Sequence, residues 1–528
     1  MTKTEINADQ TALGIELGST RIKAVLIGAD YQTIASGEFE WENSFENGLW
    51  TYHVEDVWNG LQTAYQKLAN EVKVKYRTTL TKVGSIGISA MMHGYLPFDS
   101  KGNQLVPFRT WRNTNTEQAA VKLTSLFQFN IPLRWSIAHL YQAILDSEEH
   151  IKHLDFLTTL SGYIHWKLTG QKILGIGEAS GMFPIDFETG NFNLSMIEQL
   201  ENLITSFNYE WSLRKVLPTV QKAGTQAGNL TEEGANLLDI TGNLKAGIPL
   251  CPPEGDAGTG MVATNSVRKS TGNVSAGTSI FAMIVLEKGL SDYYPEIDMV
   301  TTPDGKPVAM VHCNNFTSDV NAWMKLFSEI YDILGTKADT EQLFTALFQK
   351  AMEADADTGG LVNCSYYSGE PITGLDEGRP LLVRSPDSKL TLSNLMQSLI
   401  YSALATLRIG MEILTTKEKV QINYILGHGG FFKTEKVGQQ MMANALETPI
   451  SVMENAGEGG PWGMAVLAAY SVQKKNQSLI DYLHQEVFVT EKIKTINPTA
   501  AGIKSFEDYL NRFHSMLEVE RVAVDQLK

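Results

Sequence analysis

One aspartate among glycines is the residue of this chain best suited to chemistry. Residues 253–260 read PEGDAGTG, so Asp256 follows Gly255 closely after the apolar, strand-like run of residues 246–250. Glycines let the chain and a bound molecule approach closely, and a carboxylate in such a loop can act as general base toward a hydroxyl group. Taken alone, the pattern also fits an aspartate that closes an Asx turn, which is a structural role.

Two glycine–hydroxyl turns have the composition of phosphate-binding turns. Each follows a strand-like segment, and they are separated by about half the chain: Gly18, Ser19 and Thr20 in the first, and Gly277, Thr278 and Ser279 in the second. Successive N–H groups in a turn bind anions. Neither turn is a Walker A loop, because no GxxxxGK[ST] is present, and either turn alone also fits an ordinary hairpin. Such a repeat is expected if one fold occurs twice in the chain and the two copies face each other.

A base and a phosphate cradle together predict ATP-dependent phosphorylation of an alcohol. This reaction depends on positioning, charge neutralisation and a base for the attacking hydroxyl. Glu16 lies beside the first turn and can hold Mg²⁺ through water. The alternative for Glu16 is a strand residue at the surface.

Further residues suit a sugar and an adenine. Met92 and His93 follow the buried-strand candidate of residues 83–89, and a later polar loop offers the aromatic face of Trp111 with the amide of Asn113. The glycines of residues 427–430 and 457–460 can admit an adenine between backbone segments. The alternatives are a structural histidine, a packed tryptophan and two turns that begin helices.

Strands and helices are expected to alternate around these motifs. Periodicity predicts strand–turn–strand over residues 13–27, a helix over 54–72 and mostly helices over 117–220. Strand character returns over residues 273–315 and again at 424–426. Helices are expected over 390–414, 433–446 and 463–470, followed by a charged, helix-prone tail. In parallel or mixed sheets ligands bind beyond the carboxyl ends of strands, which is where the Met92 and residue 427–430 motifs fall.

Composition narrows the class of protein. The chain has 528 residues, 43% of them hydrophobic and 19% charged, with a net charge of −16, which is typical of a globular protein. This charge disfavours nucleic acid and anionic membranes as general partners. Three scattered cysteines, the lack of a signal-like N-terminus and the lack of an apolar run of about 18 residues predict a cytoplasmic protein.

In this order, the motifs resemble those of the FGGY family of carbohydrate kinases, from about Leu13 to Tyr470. The resemblance rests on the motifs GIELGST from Gly14, MHG from Met92, LSGYIHWKLTG from Leu160, EASG from Glu178, GDA from Gly255, GTS from Gly277 and GHGG from Gly427. It implies an α/β fold of two actin-like (ribonuclease H-like) domains with a ligand cleft between them. The expected divisions are a sugar-binding domain (11–265), an ATP-binding domain (266–475) and a helical C-terminal extension (476–528).

The resemblance also implies roles for individual residues. Asp256 is the expected base, Gly277, Thr278 and Ser279 help to bind the phosphates, and the adenosine lies by Gly427, Gly429 and Gly430. The Met-His-Gly triplet is like that of the pentulose kinases, especially xylulokinases, so His93 is expected to contact the ketose. The expected reaction is phosphorylation of L-ribulose or D-xylulose to its 5-phosphate, with ATP and Mg²⁺.

Three positions depart from the family pattern and leave alternatives open. The family usually has Asp at Glu16, and Asp and Arg at Asn113 and Asn115. A kinase of another ketose or polyol, a sugar- or nucleotide-binding regulator without catalysis, and an actin-like assembly protein are the alternatives. The oligomeric state is open, with a homodimer among the candidates.

Overall fold

The computed structural model describes residues 10–337, 339–434, 436–453, 459–474 and 476–528. Residues 1–9 lie outside these ranges, as do Gly457 and Glu458 of the second glycine motif. The strands of the described residues are β1 (Ala12–Leu17), β2 (Arg21–Ile27), β3 (Thr33–Glu40), β4 (Ser44–Glu46), β5 (Leu49–Thr51), β6 (Ser85–Ala90), β7 (Leu96–Phe98), β8 (Phe156–Thr158), β9 (Ile173–Gly175), β10 (Ile185–Asp186), β11 (Asn191–Phe192), β12 (Thr219–Gln221), β13 (Glu254–Gly255), β14 (Thr271–Ala276), β15 (Ile280–Val285), β16 (Ile297–Thr301), β17 (Pro307–Cys313), β18 (Leu361–Cys364), β19 (Leu381–Arg384), β20 (Tyr424–His428), β21 (Ile450–Met453) and β22 (Ile493–Ile496).

Helices cover the faces of the sheets and fill the segments between strands. They are α1 (Val54–Tyr76), α2 (Glu117–Phe127), α3 (Ser136–Leu145), α4 (Leu160–Thr169), α5 (Ile176–Ala179), α6 (Leu194–Ile204), α7 (Leu213–Val216), α8 (Glu232–Leu238), α9 (Asp256–Ala263), α10 (Ser318–Ile333), α11 (Thr340–Ala351), α12 (Leu392–Glu412), α13 (Val437–Leu446), α14 (Gly460–Gln473), α15 (Leu479–Tyr482) and α16 (Ala500–Gln526). Residues 117–220, expected to be mostly helical, also contain the short strands β8 to β12.

The first large sheet has the strand order β13-β6-β1-β2-β3. Strands β1 and β2 form an antiparallel hairpin, whereas β6 runs parallel to β1 and β13 runs parallel to β6. The apolar side of α1, with Leu61 and Leu68 fully buried, covers one face. Helix α14 covers the other face closely, because a Cβ added at Gly14 would lie 2.1 Å from the carbonyl oxygen of Pro461. This helix falls within residues 266–475 and packs against the first sheet.

The second large sheet repeats the same arrangement. Its order is β16-β17-β15-β14-β20-β21-β22, with an antiparallel β14–β15 hairpin and β20 parallel to β14. The two glycine–hydroxyl turns therefore occupy equivalent positions, one between β1 and β2 and the other between β14 and β15. The predicted α/β fold of two similar domains is confirmed by this duplication and by the structural likenesses reported below.

Two local expectations were wrong. Residues 246–250 form no strand and contribute two isolated bridges, from Leu250 to Ile86 and from Pro249 to Asn229. Asp256 does not lie within a loop but is the first residue of α9, because β13 passes directly into that helix.

The C-terminal residues complete the second domain. Strand β22 pairs with β21 at the edge of the second sheet, and α16 buries Phe506, Tyr509 and Phe513 in that domain's core. Contrary to the sequence expectation, residues Leu392–Lys417 form a helix long and apolar enough to cross a membrane, with a mean hydropathy of 1.2. Within the fold, 72% of that apolar window is buried, as in a core helix.

Candidate active site

The carboxyl ends of the first sheet bring together residues that are far apart in sequence. Strands β6 and β13 are parallel neighbours, with Ala90 opposite Gly255. Met92 and Asp256 each follow one of these strand ends, and the backbone N–H of Met92 donates to Asp256 Oδ1 at 3.2 Å. Because ligands of such sheets bind beyond the strand ends, this edge is the natural place for chemistry.

Asp256 combines accessibility with a raised pKa. Its Oδ1 also accepts the N–H of Ala257 at 2.9 Å, and the residue remains exposed. The protein atoms around the carboxyl desolvate it and raise its pKa to about 6, against the lowering effect of the backbone hydrogen bonds. A carboxylate of this kind is ionised at neutral pH and basic enough to accept the proton of a hydroxyl.

His93, the residue after Met92, is held in a strained backbone conformation. Its φ is +73°, a region that non-glycine residues seldom adopt, and such outliers cluster at functional sites. The ring is buried, with Nδ1 3.0 Å from the carbonyl oxygen of Gly181. Burial, followed by the charge of Arg134, lowers the pKa of His93 to about 3. The neutral ring therefore donates from Nδ1 and keeps Nε2 as an acceptor.

The side chains of Met92 and Trp111 have different environments. Met92 is 6% exposed and packs against Gly181, where an added Cβ would lie 2.6 Å from Met92 Cε. Trp111 is 36% exposed, and its Nε1 donates to Ser19 Oγ at 3.2 Å. Trp111 thus connects the predicted sugar loop to the first predicted phosphate turn.

The side chain of Asn113, a predicted substrate contact, is hydrogen-bonded to the backbone of β5 and of its own loop. Its Oδ1 accepts the N–H of Trp50 at 2.8 Å, while its Nδ2 donates to the carbonyl oxygens of Trp50 and Thr110. Both amide hydrogens are thereby used on the backbone and the residue is 4% exposed. Asn113 holds the loop of Trp111 against β5.

Glu16 lies at the end of β1, between two hydroxyl groups. Its Oε2 accepts from Ser89 Oγ and Thr259 Oγ1, each at 3.3 Å. Burial and the charge of Asp256 raise the pKa of Glu16 to about 8. Two carboxylates that repel each other are a donor set that suits a hard dication. No group of three or more His, Cys, Asp or Glu side chains in the described part of the chain is arranged to bind a metal.

The first turn is braced by aromatic side chains. Gly18 N donates to Arg21 O at 2.9 Å, which closes the hairpin. The carbonyl oxygens of Gly18 and Ser19 accept from Trp41 Nε1 and the hydroxyl of Tyr52, respectively. Thr20 is exposed and Ser19 is half-buried, so both hydroxyl residues lie at the surface of this edge.

The second sheet places the other two glycine motifs side by side. Ser275 of β14 lies opposite His428 of the parallel strand β20, so the turns that follow these strands are neighbours: Gly277, Thr278 and Ser279 on one side, and Gly429 and Gly430 on the other. Gly277 and Thr278 are exposed. Gly429 has a φ of +103°, and a Cβ there would lie 2.4 Å from Ala276 O. Only glycine fits this position.

Residues of the two domains also bond directly to each other. Arg134 forms an ion pair with Asp298 of β16. The N–H of Thr301 donates to Ser180 Oγ at 3.0 Å. These contacts join the segment near His93 to the edge of the second sheet.

Sequence reasoning gave no role to two buried glutamates of this site. Glu178 lies against Gly255, where an added Cβ would be 2.4 Å from its Oε2, and burial raises the pKa of Glu178 well above its usual range. Glu254 bonds to the backbone at the start of α5. Both residues stood inside recognised motifs, yet only the fold shows what they contact.

Comparisons with known proteins agree over nearly the whole chain. The models of the FGGY family of carbohydrate kinases match residues 11–262 (N-terminal domain) and 272–472 (C-terminal domain). A xylulose kinase of Haemophilus influenzae is 21% identical over 517 residues, covering 95% of this chain and 98% of that protein. The fold is similar to that of a "xyloylose kinase" from Brucella ovis (TM-score 0.78, 17% identity, covering 98% of this chain and 100% of the other). It is equally similar to a gluconate kinase from Lactobacillus acidophilus (TM-score 0.78, 16% identity, 96% and 98% covered).

Proposed function

Because the chain belongs to the FGGY family of carbohydrate kinases, we propose that it phosphorylates a ketopentose, D-xylulose or L-ribulose, at the 5-hydroxyl with ATP. That it is a carbohydrate kinase follows from the family, and this removes the non-catalytic regulator and the assembly protein as leading alternatives. The xylulose kinase from Haemophilus influenzae, which covers 95% of this chain, supports a ketopentose as substrate.

The observation that carries the proposal is the accessible carboxylate of Asp256, which accepts the N–H of Met92, the residue before the buried, neutral His93. In the proposed reaction Asp256 accepts the proton of the sugar hydroxyl. The hydroxyl oxygen forms a bond to the γ-phosphorus as the bond from that phosphorus to the β–γ bridging oxygen breaks, and ADP leaves. The pKa of about 6 keeps Asp256 ionised at neutral pH and suits it to this proton transfer.

The sugar is proposed to lie against Met92, His93 and Trp111. His93 offers Nε2 as an acceptor to a sugar hydroxyl because Nδ1 is engaged by Gly181. Asn113 acts one step back, by fixing the loop that presents Trp111.

ATP is proposed to bridge the two sheets. Its phosphates would meet the turns at Gly18, Ser19 and Thr20 and at Gly277, Thr278 and Ser279, with the adenosine near Gly427, Gly429 and Gly430. Glu16, with Asp256 close by, would hold Mg²⁺ through water; when bound, this ion neutralises charge on the phosphates. The proposed divisions are residues 11–265 and 266–475, with residues 476–528 as an extension that packs onto the second domain through β22 and α16.

A coupled ADP-release assay tests the function. The panel is D-xylulose, L-xylulose, D-ribulose, L-ribulose, D-fructose, L-rhamnulose, glycerol and D-gluconate, each with Mg-ATP. We expect one ketopentose to give a kcat/KM far above the rest, and phosphorus NMR of the product to show a 5-phosphate. Preference for D-gluconate or glycerol would contradict the ketopentose proposal. ATP binding without turnover on any of the eight would contradict it as well.

A further inference from the structure

Glu254 is a buried carboxyl that the proposed reaction does not use. It is 1% exposed, although it stands two residues before Asp256 on β13. Burying a carboxyl without hydrogen-bond partners is costly, so a buried glutamate is expected to be hydrogen-bonded. All of its backbone partners outside β13 lie in one segment of the chain.

That segment is residues 175–181, which we name the α5 turn. Glu254 Oε2 accepts the N–H of Glu178 at 3.0 Å, and Oε1 accepts that of Gly177 at 3.4 Å. Next to these bonds, Gly175 N donates to Pro253 O at 2.8 Å. The α5 turn is thereby fastened to the strand that carries Asp256.

The α5 turn is shaped to receive this carboxyl. A Cβ added at Gly175 would lie 2.4 Å from Glu254 Oε1, and one added at Gly177 would lie 2.3 Å from Oε2. Such contacts are closer than real side chains tolerate, so the glycines and the glutamate fit one another. Neither glycine has a positive φ, so the reason for the missing side chains is steric. At Gly177 the obstacle is the Glu254 carboxyl alone, and at Gly175 it is that carboxyl together with Pro253 O, which would lie 2.6 Å from an added Cβ.

The other end of the α5 turn holds His93. Gly181 O receives the His93 Nδ1 hydrogen bond at 3.0 Å, and a Cβ at Gly181 would lie 2.6 Å from that same nitrogen. A continuous series of contacts therefore runs from the strand of Asp256 through Glu254 and the α5 turn to the His93 ring.

We propose that Glu254 is a positioning residue, which sets the place of the His93 ring relative to Asp256 by fastening the α5 turn to β13. The inference rests on the proposed function, because it assigns the ketose contact to His93. The loss of Glu254 should therefore weaken binding of the ketose and leave binding of ATP unchanged, because other residues hold the proposed phosphate turn of the second sheet.

Four variants test the proposal through kinetics. In Glu254→Ala and in Gly177→Ala we expect the KM for the ketose to rise at least tenfold, with the KM for Mg-ATP within twofold of wild type. Glu254→Gln keeps one acceptor for the N–H of Glu178 and should stay within about threefold for both. In the double variant Gly177→Ala/Glu254→Ala, removal of the carboxyl leaves space for the Cβ added at Gly177. The ketose KM of the double variant should therefore lie within twofold of that of Glu254→Ala alone. Gly260→Ala, where an added Cβ meets nothing within 4 Å, is the matched control.

A second readout does not depend on turnover. In protein labelled with ¹⁵N-histidine, the Nδ1 resonance of His93, assigned by its loss in His93→Gln, should shift in Glu254→Ala and Gly177→Ala and hold in Glu254→Gln and Gly260→Ala. An unmoved resonance in Glu254→Ala overturns the proposal. Equal rises in the KM for the ketose and the KM for Mg-ATP also overturn the proposal. So does a ketose KM in the double variant that equals the product of the two single effects. If the wild-type protein phosphorylates no sugar but the His93 resonance still shifts in Glu254→Ala, the proposed function is wrong, while the role of Glu254 in positioning His93 is supported.

Discussion

The edges of the two sheets share one topology and differ in the groups that they present. At the first edge the groups are side chains in a partly desolvated setting, with the pKa of Asp256 raised to about 6 and that of Glu16 to about 8. At the second edge they are exposed turns of backbone, with Gly277, Thr278, Gly429 and Gly430 open to solvent. In the proposed function, the first copy therefore supplies the carboxyl groups of raised pKa, and the second copy supplies backbone N–H groups for the nucleotide.

Both edges are nevertheless secured in the same way, by a buried glutamate behind the turn. Glu254 fastens the α5 turn in the first domain. In the second, Glu370 Oε2 accepts the N–H groups of Asn314 and Asn315 at 2.9 and 3.2 Å. The next residues of that loop hold the turn between β14 and β15: Phe316 N donates to Thr278 O (2.9 Å) and Thr317 Oγ1 donates to Gly277 O (2.7 Å).

The largest effect is expected at the first edge, from Asp256→Asn. The amide keeps an acceptor for the N–H of Met92 and of Ala257 but cannot take up a proton, so kcat should fall by about 10²–10⁴-fold, with Mg-ATP affinity little changed. The exposed Asp292, whose Oδ1 accepts the N–H of the next residue at 2.8 Å, gives the matched control Asp292→Asn. A kcat for Asp256→Asn within tenfold of wild type would remove Asp256 as the base.

A smaller effect is expected from crowding Glu16. A Cβ added at Gly460 would lie 1.8 Å from Glu16 Oε2, so Gly460→Ala must displace that carboxyl. Since a shift of about 1 Å in a reacting site can cost about 10²-fold, we expect kcat/KM to fall toward that extent. Glu16→Asp withdraws the carboxyl by one methylene group and should relieve the loss in the double variant. An equal loss of kcat/KM from Gly460→Ala in the wild-type and in the Glu16→Asp protein would show that the effect of Gly460 does not involve Glu16.

At the second edge, Glu370→Ala should weaken only the binding of the nucleotide. Loss of the acceptor leaves two backbone N–H groups unsatisfied, and the loop that supports Thr278 should loosen. We expect KM for Mg-ATP to rise roughly tenfold and KM for the ketose to stay within twofold, with Glu370→Gln close to wild type. A rise in the ketose KM alone would reverse the assignment of the two edges.

The smallest effect is the pH dependence of the first edge. Asp256 must be ionised to act, so kcat/KM should rise with pH and level off above about pH 6. Because its pKa in the folded state exceeds the ordinary value of 3.8, stability associated with this group is present below about pH 4 and is lost as pH rises through 6. Melting curves should show Asp256→Asn more stable than wild type at pH 7 and equal to it near pH 4. The reverse order would contradict the raised pKa.

The sequence predicted what depends on local patterns. Strand–turn–strand units, the helix from Val54 and the glycine turns follow from periodicity and turn composition over a few residues, and they were found. The hydrogen bonds of Asn113 could not be predicted, because its partner, the backbone of Trp50, lies 63 residues away. Glu254 was passed over because its fit to Gly177, 77 residues earlier, exists only once β13 lies against the α5 turn.

The most direct test of the central claim is a crystal structure with the preferred ketose and a non-hydrolysable ATP analogue with Mg²⁺. The account predicts the terminal hydroxyl of the ketose within about 2.6–3.2 Å of an Asp256 carboxylate oxygen. It also predicts the γ-phosphate between the turns at Gly18 and Gly277. A ketose bound with that hydroxyl well beyond hydrogen-bond reach of Asp256, in a closed ternary complex, would contradict the account.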